Sequence, residues 1–573
     1  MNKEMLLGLA SANVLLIRFF FTLLFLSCII IIKKKRIPSK VLIIALIAFS
    51  IAFADAMLLP KRDLMYNDDF YYQSMALSIK ERGNYFLYHR QFESGPFPKS
   101  IGYPFMLSLI YSTGNLNPKL SNYANAFFYG LSFALFAVLL WKINKTNAEG
   151  KRDEKEKDKR KKKALLGKSL LFTISFIAML LLIWSNILFK KLSTTGETHV
   201  FSVFAIALFI YLFVNYVKRS FSAWSFLALM ASAFLAIVTR PENVMIIFIL
   251  YLAAFSLALI NRKKAFWVFF SAILISILCI PNFLVIRSEY IDIQWGEGSN
   301  FGLEKIPENV RFFSDTVFGN QWESGIVFLA GCAYSLIFCF WFFAFKLLPY
   351  SINKLRKKSF MKQGINAFNL LSFFVMSVLL AFTLVIFVSH VDSNRAPRIY
   401  LTPVMLSYVV FGLLAFSITR NLSSKRGKKH IIYGVAFLSI VLLALSSFFS
   451  GVRWEKEFRE SSNHRKDQLD MSEQIYFFFQ GMKGEYYVVT QYPEAMFFLG
   501  KRAISVDAFI EGYNELKGKE IYVWLNNLFD NPGFARDKTL MFYNHIKEDA
   551  EMITVLEYKA GPYESKLEKL EFN

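Results

Sequence analysis

Residues 41–60 read VLIIALIAFSIAFADAMLLP, an almost uninterrupted apolar run of 20 residues. A helix of about 20 apolar residues spans the hydrocarbon core of a bilayer, and we count about twelve such runs between residues 5 and 450. The composition agrees, since 55% of the 573 residues are hydrophobic, 17% are aromatic and the mean hydropathy is +0.37. No soluble chain needs so much apolar surface. The sequence therefore predicts an all-α polytopic membrane protein.

The basic residues indicate on which side of the membrane each loop lies. A formal net charge of +23 would suggest nucleic acid as the partner of a soluble chain. Here the basic residues cluster in alternate loops, a pattern that marks the cytoplasmic side of membrane proteins. The clusters lie at residues 33–36, 151–163, 262–264, 356–358 and 425–429. We therefore expect no nucleic-acid partner, and we expect both chain ends and the segment after residue 60 to lie outside.

This topology divides the chain into two parts. Residues 1–450 form the predicted membrane domain, and residues 451–573 form an extracytoplasmic tail. Two outer loops of the membrane domain, 61–122 and 287–325, are also long enough to carry function. On the cytoplasmic side, residues 144–168 carry a mixed charge run that cannot bury a core, so we interpret them as a solvated, flexible or helical linker.

The first outer loop predicts two short helices. Tyr72, Met75, Ala76 and Ile79 have the spacing i, i+3, i+4 and i+7, which gives a helix starting near Asp69 one apolar face. We expect such a helix to lie along the membrane surface. A proline-rich stretch then leads into a second short apolar helix.

The tail alternates predicted strands and helices. Short apolar and β-branched runs predict strands at 486–490, 504–506, 521–525 and 553–558, and the clearest helix is 535–549. This alternation predicts a small α/β domain. The tail contains no glycine-rich phosphate loop and no nucleophile elbow, so we interpret it as a lid or an acceptor-recognition domain.

The acids after residue 60 carry a family resemblance. Asp68-Asp69-Phe70-Tyr71-Tyr72, with Ala76 four residues on and Gly83 beyond it, resembles the Asp-Glu-x-x-Tyr-x-x-x-Ala signature in the first outer loop of membrane glycosyltransferases. These enzymes share the GT-C fold and are related to protein O-mannosyltransferases and lipid A aminoarabinose transferases, as in glycosyltransferase family 39. Gly102-Tyr103-Pro104-Phe105 is similar to the proline-led helix that follows in the family. The apolar layout is similar over roughly residues 40–450, although Asp69 stands where the family often has Glu.

The resemblance implies inverting transfer of a sugar from a polyprenyl-phosphate carrier to a protein, lipid or glycan acceptor. A lipid phosphate leaves as a stable anion, so the reaction needs only one carboxylate base, which takes the proton of the attacking hydroxyl. A hydrolase acting on an ordinary glycoside would need a second carboxyl group as acid. By analogy Asp68 is the base, and Asp69 orients it or holds a cation. The alternative is that Asp68 only caps the helix.

Glu197 is a third candidate acid. It lies in Ser193-Thr194-Thr195-Gly196-Glu197-Thr198-His199, a short outer loop where the family also places an acidic residue near the reaction centre. Glu197 would hydrogen-bond the acceptor or share a divalent cation with Asp69; the alternative is a solvated loop acid or a helix cap. His199 is interpreted as a helix-start residue, because no second His or Cys stands at ligand spacing.

The leaving phosphate needs positive charge, for which arginines at the outer membrane edge are candidates. Arg240 lies between two apolar runs, and Arg395 and Arg398 precede a late one. Arg398 with Tyr400 resembles an Arg-Tyr feature that family members carry at this place. A guanidinium presents a planar fork that matches phosphate oxygens. The alternative is that these arginines anchor helices to lipid headgroups, the role that we give Arg395.

Two other functions are compatible with the apolar layout. A polysaccharide polymerase or ligase also works at the outer face, but it uses a lipid diphosphate donor and tends to place Arg and His in a large late loop, and residues 287–325 contain no His. A transporter or lipid flippase more typically shows internal repeats, which we do not find. With only four cysteines, we expect a glycosyltransferase surrounded by the lipids of a prokaryotic plasma membrane, with its active site facing outward.

Overall fold

The computed structural model describes most of the chain in sixteen stretches. These are residues 3–34, 38–61, 68–86, 100–149, 159–218, 222–258, 261–290, 302–349, 367–388, 396–424, 428–461, 463–491, 493–525, 532–546, 550–560 and 563–572. Of the predicted linker 144–168, residues 150–158 lie outside the described residues, and the flanks on both sides continue helices.

Helices make up most of the described residues. In chain order they are α1 (Lys3–Lys34), α2 (Ser39–Leu58), α3 (Asp68–Arg82), α4 (Gly102–Tyr111), α5 (Leu120–Glu149), α6 (Lys159–Trp184), α7 (Ile187–Ser193), α8 (His199–Lys218), α9 (Ala223–Thr239), α10 (Met245–Ala258), α11 (Arg262–Tyr290), α12 (Ile306–Phe313), α13 (Trp322–Phe342), α14 (Ala367–Val388), α15 (Ala396–Ser424), α16 (Lys428–Ser461), α17 (Asn463–Gln480), α18 (Val506–Glu511), α19 (Tyr513–Leu516) and α20 (Pro532–Ile546). Short 3₁₀ segments lie at Pro241–Val244, Leu303–Lys305 and Pro493–Arg502, and π-helical turns at Ser314–Phe318 and Phe343–Leu347.

About half of these helices are long and apolar enough to cross a bilayer. Within the described stretches nine qualify by length and composition, and the pair α6–α7, bent by 51°, counts as a tenth. Two further apolar helices, α9 and residues 372–388 of α14, are shorter, at 17 residues each. Large apolar side chains remain exposed on these helices, for example Leu46, Phe340 and Ile431, as expected where lipid takes the place of water. The predicted all-α polytopic architecture is confirmed.

A small mixed sheet forms the centre of the C-terminal part, as predicted. Its strands are β1 (Tyr486–Thr490), β2 (Ala503–Ser505), β3 (Glu520–Trp524), β4 (Ala550–Ala560) and β5 (Tyr563–Phe572). The strand order is β2-β1-β3-β5-β4, with β1 parallel to β2 and β3, and β5 antiparallel to β3 and β4. Packing on both faces of this sheet completes an α/β unit.

The structure corrects two details of this part. Helix α16 continues without a break to Ser461, so the sheet-containing part begins at α17 and not at residue 451. The sequence prediction also missed β5, in which the buried Leu567 and Leu570 are separated by two charged residues. Because β5 pairs with both β3 and β4, its conformation depends on neighbours that are distant in the sequence, which local propensity does not report.

The position of α3 is also different from the prediction. Its predicted apolar face is buried, and Gly83, with φ of 69°, follows the end of the helix. However, the opposite side is covered too, since Gln73, Ser74 and Ser78 are at most 1% exposed. Helix α4 and the 3₁₀ segment Pro493–Arg502 pack against α3. Helix α3 is therefore enclosed between the membrane part and the C-terminal part instead of lying on a membrane surface.

A buried ion cluster fixes α7. Lys190 is fully buried, contacts Asp55 of α2 at 2.9 Å and pairs with Glu455 of α16. Its ammonium nitrogen also lies 3.7 Å from the centre of the Trp184 ring. Since three helices meet at this single charge, the cluster sets where the loop after α7, residues 194–198, begins.

We predict that Lys190→Met destabilises the protein by about 3–5 kcal/mol, because two partly buried carboxylates lose their shared cation. The measurement is thermal unfolding of the purified protein in detergent. In the triple variant Lys190→Met, Asp55→Asn, Glu455→Gln, most of the stability should return, since no uncompensated charge remains. An unchanged melting temperature of the single variant would contradict the prediction.

Candidate active site

The carboxylate of Asp69 is tied to the loop at residues 194–198. Asp69 is the second residue of α3 and is fully buried, and its Oδ2 accepts a hydrogen bond from the Gly196 amide at 2.8 Å. A Cβ at Gly196 would collide with the Ser121 side chain and stand 3.0 Å from Asp69 Oδ2. Glycine is therefore required at position 196 for this close approach.

Two asparagines of α5 hold the same loop from the other side. The Asn122 side-chain amide donates to the Thr194 carbonyl at 2.8 Å. The Asn125 amide donates to the carbonyls of Thr195 at 2.7 Å and Glu197 at 2.6 Å. These asparagines position the loop that carries Glu197. The sequence analysis missed them, although two amides three residues apart in an apolar run were a visible signal.

Glu197 is the centre of a network of charged groups. It is fully buried; its Oε1 lies 3.3 Å from a guanidinium nitrogen of Arg398, and its Oε2 lies 2.9 Å from Nε2 of His199. The other ring nitrogen of His199 contacts Arg240. Arg240 in turn holds Glu242 with two nitrogens, at 3.1 and 2.7 Å. Two predicted arginines and one predicted acid are therefore linked through a histidine.

The partners of His199 define its tautomer. A guanidinium can only donate hydrogen bonds, so Nδ1 of His199, which faces Arg240, is the accepting nitrogen. The ring proton is then on Nε2, the nitrogen that lies 2.9 Å from Oε2 of Glu197. His199 begins α8, as the sequence indicated, but it also connects Arg240 with Glu197, a role that the sequence analysis did not assign.

Burial controls the ionisation of groups around these acids. Burial raises the pKa of Tyr103 and of Tyr111 well above the ordinary phenol value, and the charge of Asp69 adds to the effect. Both hydroxyls thus remain donors, to the Ser121 carbonyl at 3.1 Å and to the Gln73 side chain at 3.2 Å. For Arg240, burial lowers the pKa but the Glu242 carboxylate more than compensates, so the pKa is raised and the charge is kept.

The remaining predicted residues do not all join this network. Asp68 begins α3, but its side chain lies outside the described residues, and so does Arg395. Tyr400 is fully buried, and its hydroxyl donates to the Asn309 carbonyl at 2.7 Å, whereas Arg398 two residues earlier contacts Glu197. The assignment of Tyr400 to the lipid-phosphate site stays a prediction.

The acids as placed do not form a ready site for the divalent cation that Asp69 and Glu197 were expected to share. Glu197 already lies beside the Arg398 guanidinium, which repels a second cation. Across the described stretches, no group of three or more His, Cys, Asp or Glu side chains is arranged to hold a metal ion. Metal dependence stays a prediction.

Comparison with known proteins gives matches only among solved structures. No protein-family model and no curated protein matches the chain. ArnT from Cupriavidus metallidurans bound to undecaprenyl phosphate aligns with 93% of this chain and 98% of its own, at 11% identity and a TM-score of 0.44. The apo oligosaccharyltransferase of Archaeoglobus fulgidus aligns with 84% of this chain and 69% of its own, at 12% identity and a TM-score of 0.41. The arabinosyltransferase EmbB from Mycobacterium smegmatis aligns with 77% of this chain and 43% of its own, at 11% identity and a TM-score of 0.43. The function therefore has to be inferred from the chain's own residues.

Proposed function

We propose that this protein is an inverting glycosyltransferase of the GT-C kind. It transfers a sugar from a polyprenyl-phosphate carrier to an acceptor at the outer face of a prokaryotic plasma membrane. The observation that supports this proposal is the convergence of Asp69, Glu197, Arg240 and Arg398, which come from four separate segments of a multi-pass helical bundle. Buried charged groups at the ends of spanning helices are costly and mark functional sites by default.

The arginines are suited to the leaving phosphate to different degrees. Both carboxylate oxygens of Glu242 accept hydrogen bonds from Arg240, which fixes the orientation of its guanidinium group. One guanidinium nitrogen of Arg398 lies 3.3 Å from Glu197, the acid that we propose binds the acceptor. We therefore assign the direct phosphate contact to Arg398, and to Arg240 the role of keeping the site electropositive. In a site with few water molecules such charges stabilise a developing anion more strongly than in water.

The acids divide the work in the proposed reaction. The acceptor hydroxyl attacks the anomeric carbon on the face opposite the phosphate, its proton passes to Asp68, and the electron pair of the breaking C–O bond leaves with the phosphate. Asp69, whose Oδ2 accepts from Gly196, orients the start of α3 and thereby Asp68. Glu197, held by His199 and Arg398, accepts a hydrogen bond from the acceptor. One displacement inverts the anomeric configuration.

The roles of the two neighbouring acids predict different phenotypes. Asp68→Asn should lower transfer by about 10²–10⁴-fold without loss of stability, since it removes only a base. Asp69→Asn should reduce both activity and melting temperature, because it weakens a buried charge-assisted bond to Gly196. The measurements are mass spectrometry of glycans from cells that carry each variant, and thermal unfolding of the purified proteins. Near-normal glycosylation by Asp68→Asn would remove Asp68 as the base.

For the phosphate site, we predict that Arg398→Gln lowers kcat/KM by about 10²–10³-fold and that Arg398→Lys restores part of it, because Lys keeps the charge but not the fork. The assay follows release of polyprenyl phosphate from the purified lipid-linked sugar. Arg420→Gln, near the other end of the same helix, is the matched control and should behave as the wild type. Equal losses in Arg398→Gln and Arg420→Gln would contradict the assignment.

A further inference from the structure

A cleft lies on the seam between the membrane part and the C-terminal part. The turn between α4 and α5 forms one wall and α17 forms the other, and the cleft has a volume of about 310 Å³. This volume is at the lower end of the range for small-molecule sites, about 300–1,000 Å³. The residues of this seam cleft are Gly114, Asn115, Asn117, Tyr476, Phe477 and Gln480.

The two walls are fixed to each other beside the cleft. Lys119 lies 2.7 Å from Asp470 and also pairs with Glu473. The side-chain amide of Asn117 donates to Glu473 at 2.7 Å. Burial lowers the pKa of Lys119, but its bonds to the two carboxylates more than offset this, so the pKa is raised and the ammonium group stays charged. The seam cleft is therefore preformed, and the charged groups next to it pair with one another.

Amides and aromatic rings supply the binding groups of the seam cleft. Asn115 is oriented because its Oδ1 accepts from the Asn117 backbone amide at 2.9 Å, which leaves its NH₂ group as a donor. Gln480 is exposed, and among the described residues no group hydrogen-bonds its side chain. The Phe477 ring is 55% exposed and stands next to Tyr476, with ring centroids 5.3 Å apart. Within the described stretches no charged side chain lines the seam cleft.

We propose that the seam cleft binds a sugar ring of a neutral glycan. Vicinal hydroxyls are both donors and acceptors, as are side-chain amides, and the C–H face of a pyranose packs on an exposed aromatic ring. A phosphate or a carboxylate ligand would need a cation in the lining, and a metal ion would need carboxylates. The uncharged lining therefore selects a polyhydroxylated ligand.

The seam cleft is connected to the candidate active site through α4. Gly114 lies three residues after Tyr111, whose hydroxyl donates to Gln73. Gln73 donates to Ser121, the residue against which Gly196 packs beside Asp69. On this basis we assign the bound sugar to the acceptor. Only this assignment to the acceptor rests on the proposed function; sugar binding itself does not.

The test is binding of neutral trisaccharides of glucose, mannose, galactose and N-acetylglucosamine to the full chain in detergent, measured by saturation-transfer NMR and titration. We expect at least one of them to bind. Phe477→Ala should raise its Kd about tenfold, and Phe477→Trp should retain binding. Tyr543→Ala, which removes a half-exposed aromatic ring elsewhere in the C-terminal part, is the matched control and should bind as the wild type does.

Absence of binding by all four trisaccharides, or equal affinity of wild type and Phe477→Ala, would overturn the proposal. Titration of the Asp68→Asn variant separates sugar binding from catalysis. This variant should bind the trisaccharide as the wild type does, even though it has lost transfer activity. If the wild type binds a trisaccharide in a Phe477-dependent manner but has no transferase activity, the seam cleft is supported and the proposed function fails.

Discussion

The hydrogen bond between the Gly196 amide and the buried Asp69 carboxylate connects the two segments on which the candidate site depends. A buried carboxylate is stable only when hydrogen-bond donors or cations surround it, so α3 and the loop at 194–198 have to meet. The close approach leaves no space for a Cβ at residue 196. Asn122 and Asn125 fix the loop from α5, and Lys190 fixes the helix before it. Glu197 is thus placed by the contacts of its loop to α3 and α5 and by the fixed helix α7 before it.

The charged groups of the site form a series of contacts in which each group stabilises its neighbour. Arg398 compensates Glu197, His199 joins Glu197 to Arg240, and Arg240 is neutralised by Glu242. In a low-dielectric environment each of these groups would be costly alone, and the removal of one leaves its neighbour uncompensated. A negatively charged ligand such as a lipid phosphate would change this balance. It would draw Arg398 away from Glu197 and leave that carboxylate more available to a hydroxyl group.

The C-terminal part contributes to the enclosure of the site. Phe497 stacks on Tyr111 with ring centroids 5.4 Å apart, and Lys119 joins α17 through two carboxylates. This part therefore packs on α3 and α4 and is not a separate unit on a linker. Its first helix also forms one wall of the seam cleft. Its role in acceptor recognition stays a prediction.

The sequence alone determined the apolar helices, the alternation of basic loops and four strands of the C-terminal sheet, because these depend on composition and local periodicity. It also marked Asp69, Glu197, Arg240 and Arg398 as charged residues at helix ends. Only the tertiary structure decided that these residues meet, that His199 lies between them, that α3 is enclosed, and that residues 563–572 form a strand. Each of these depends on contacts between residues far apart in the chain, and such contacts leave no periodic signal in the sequence.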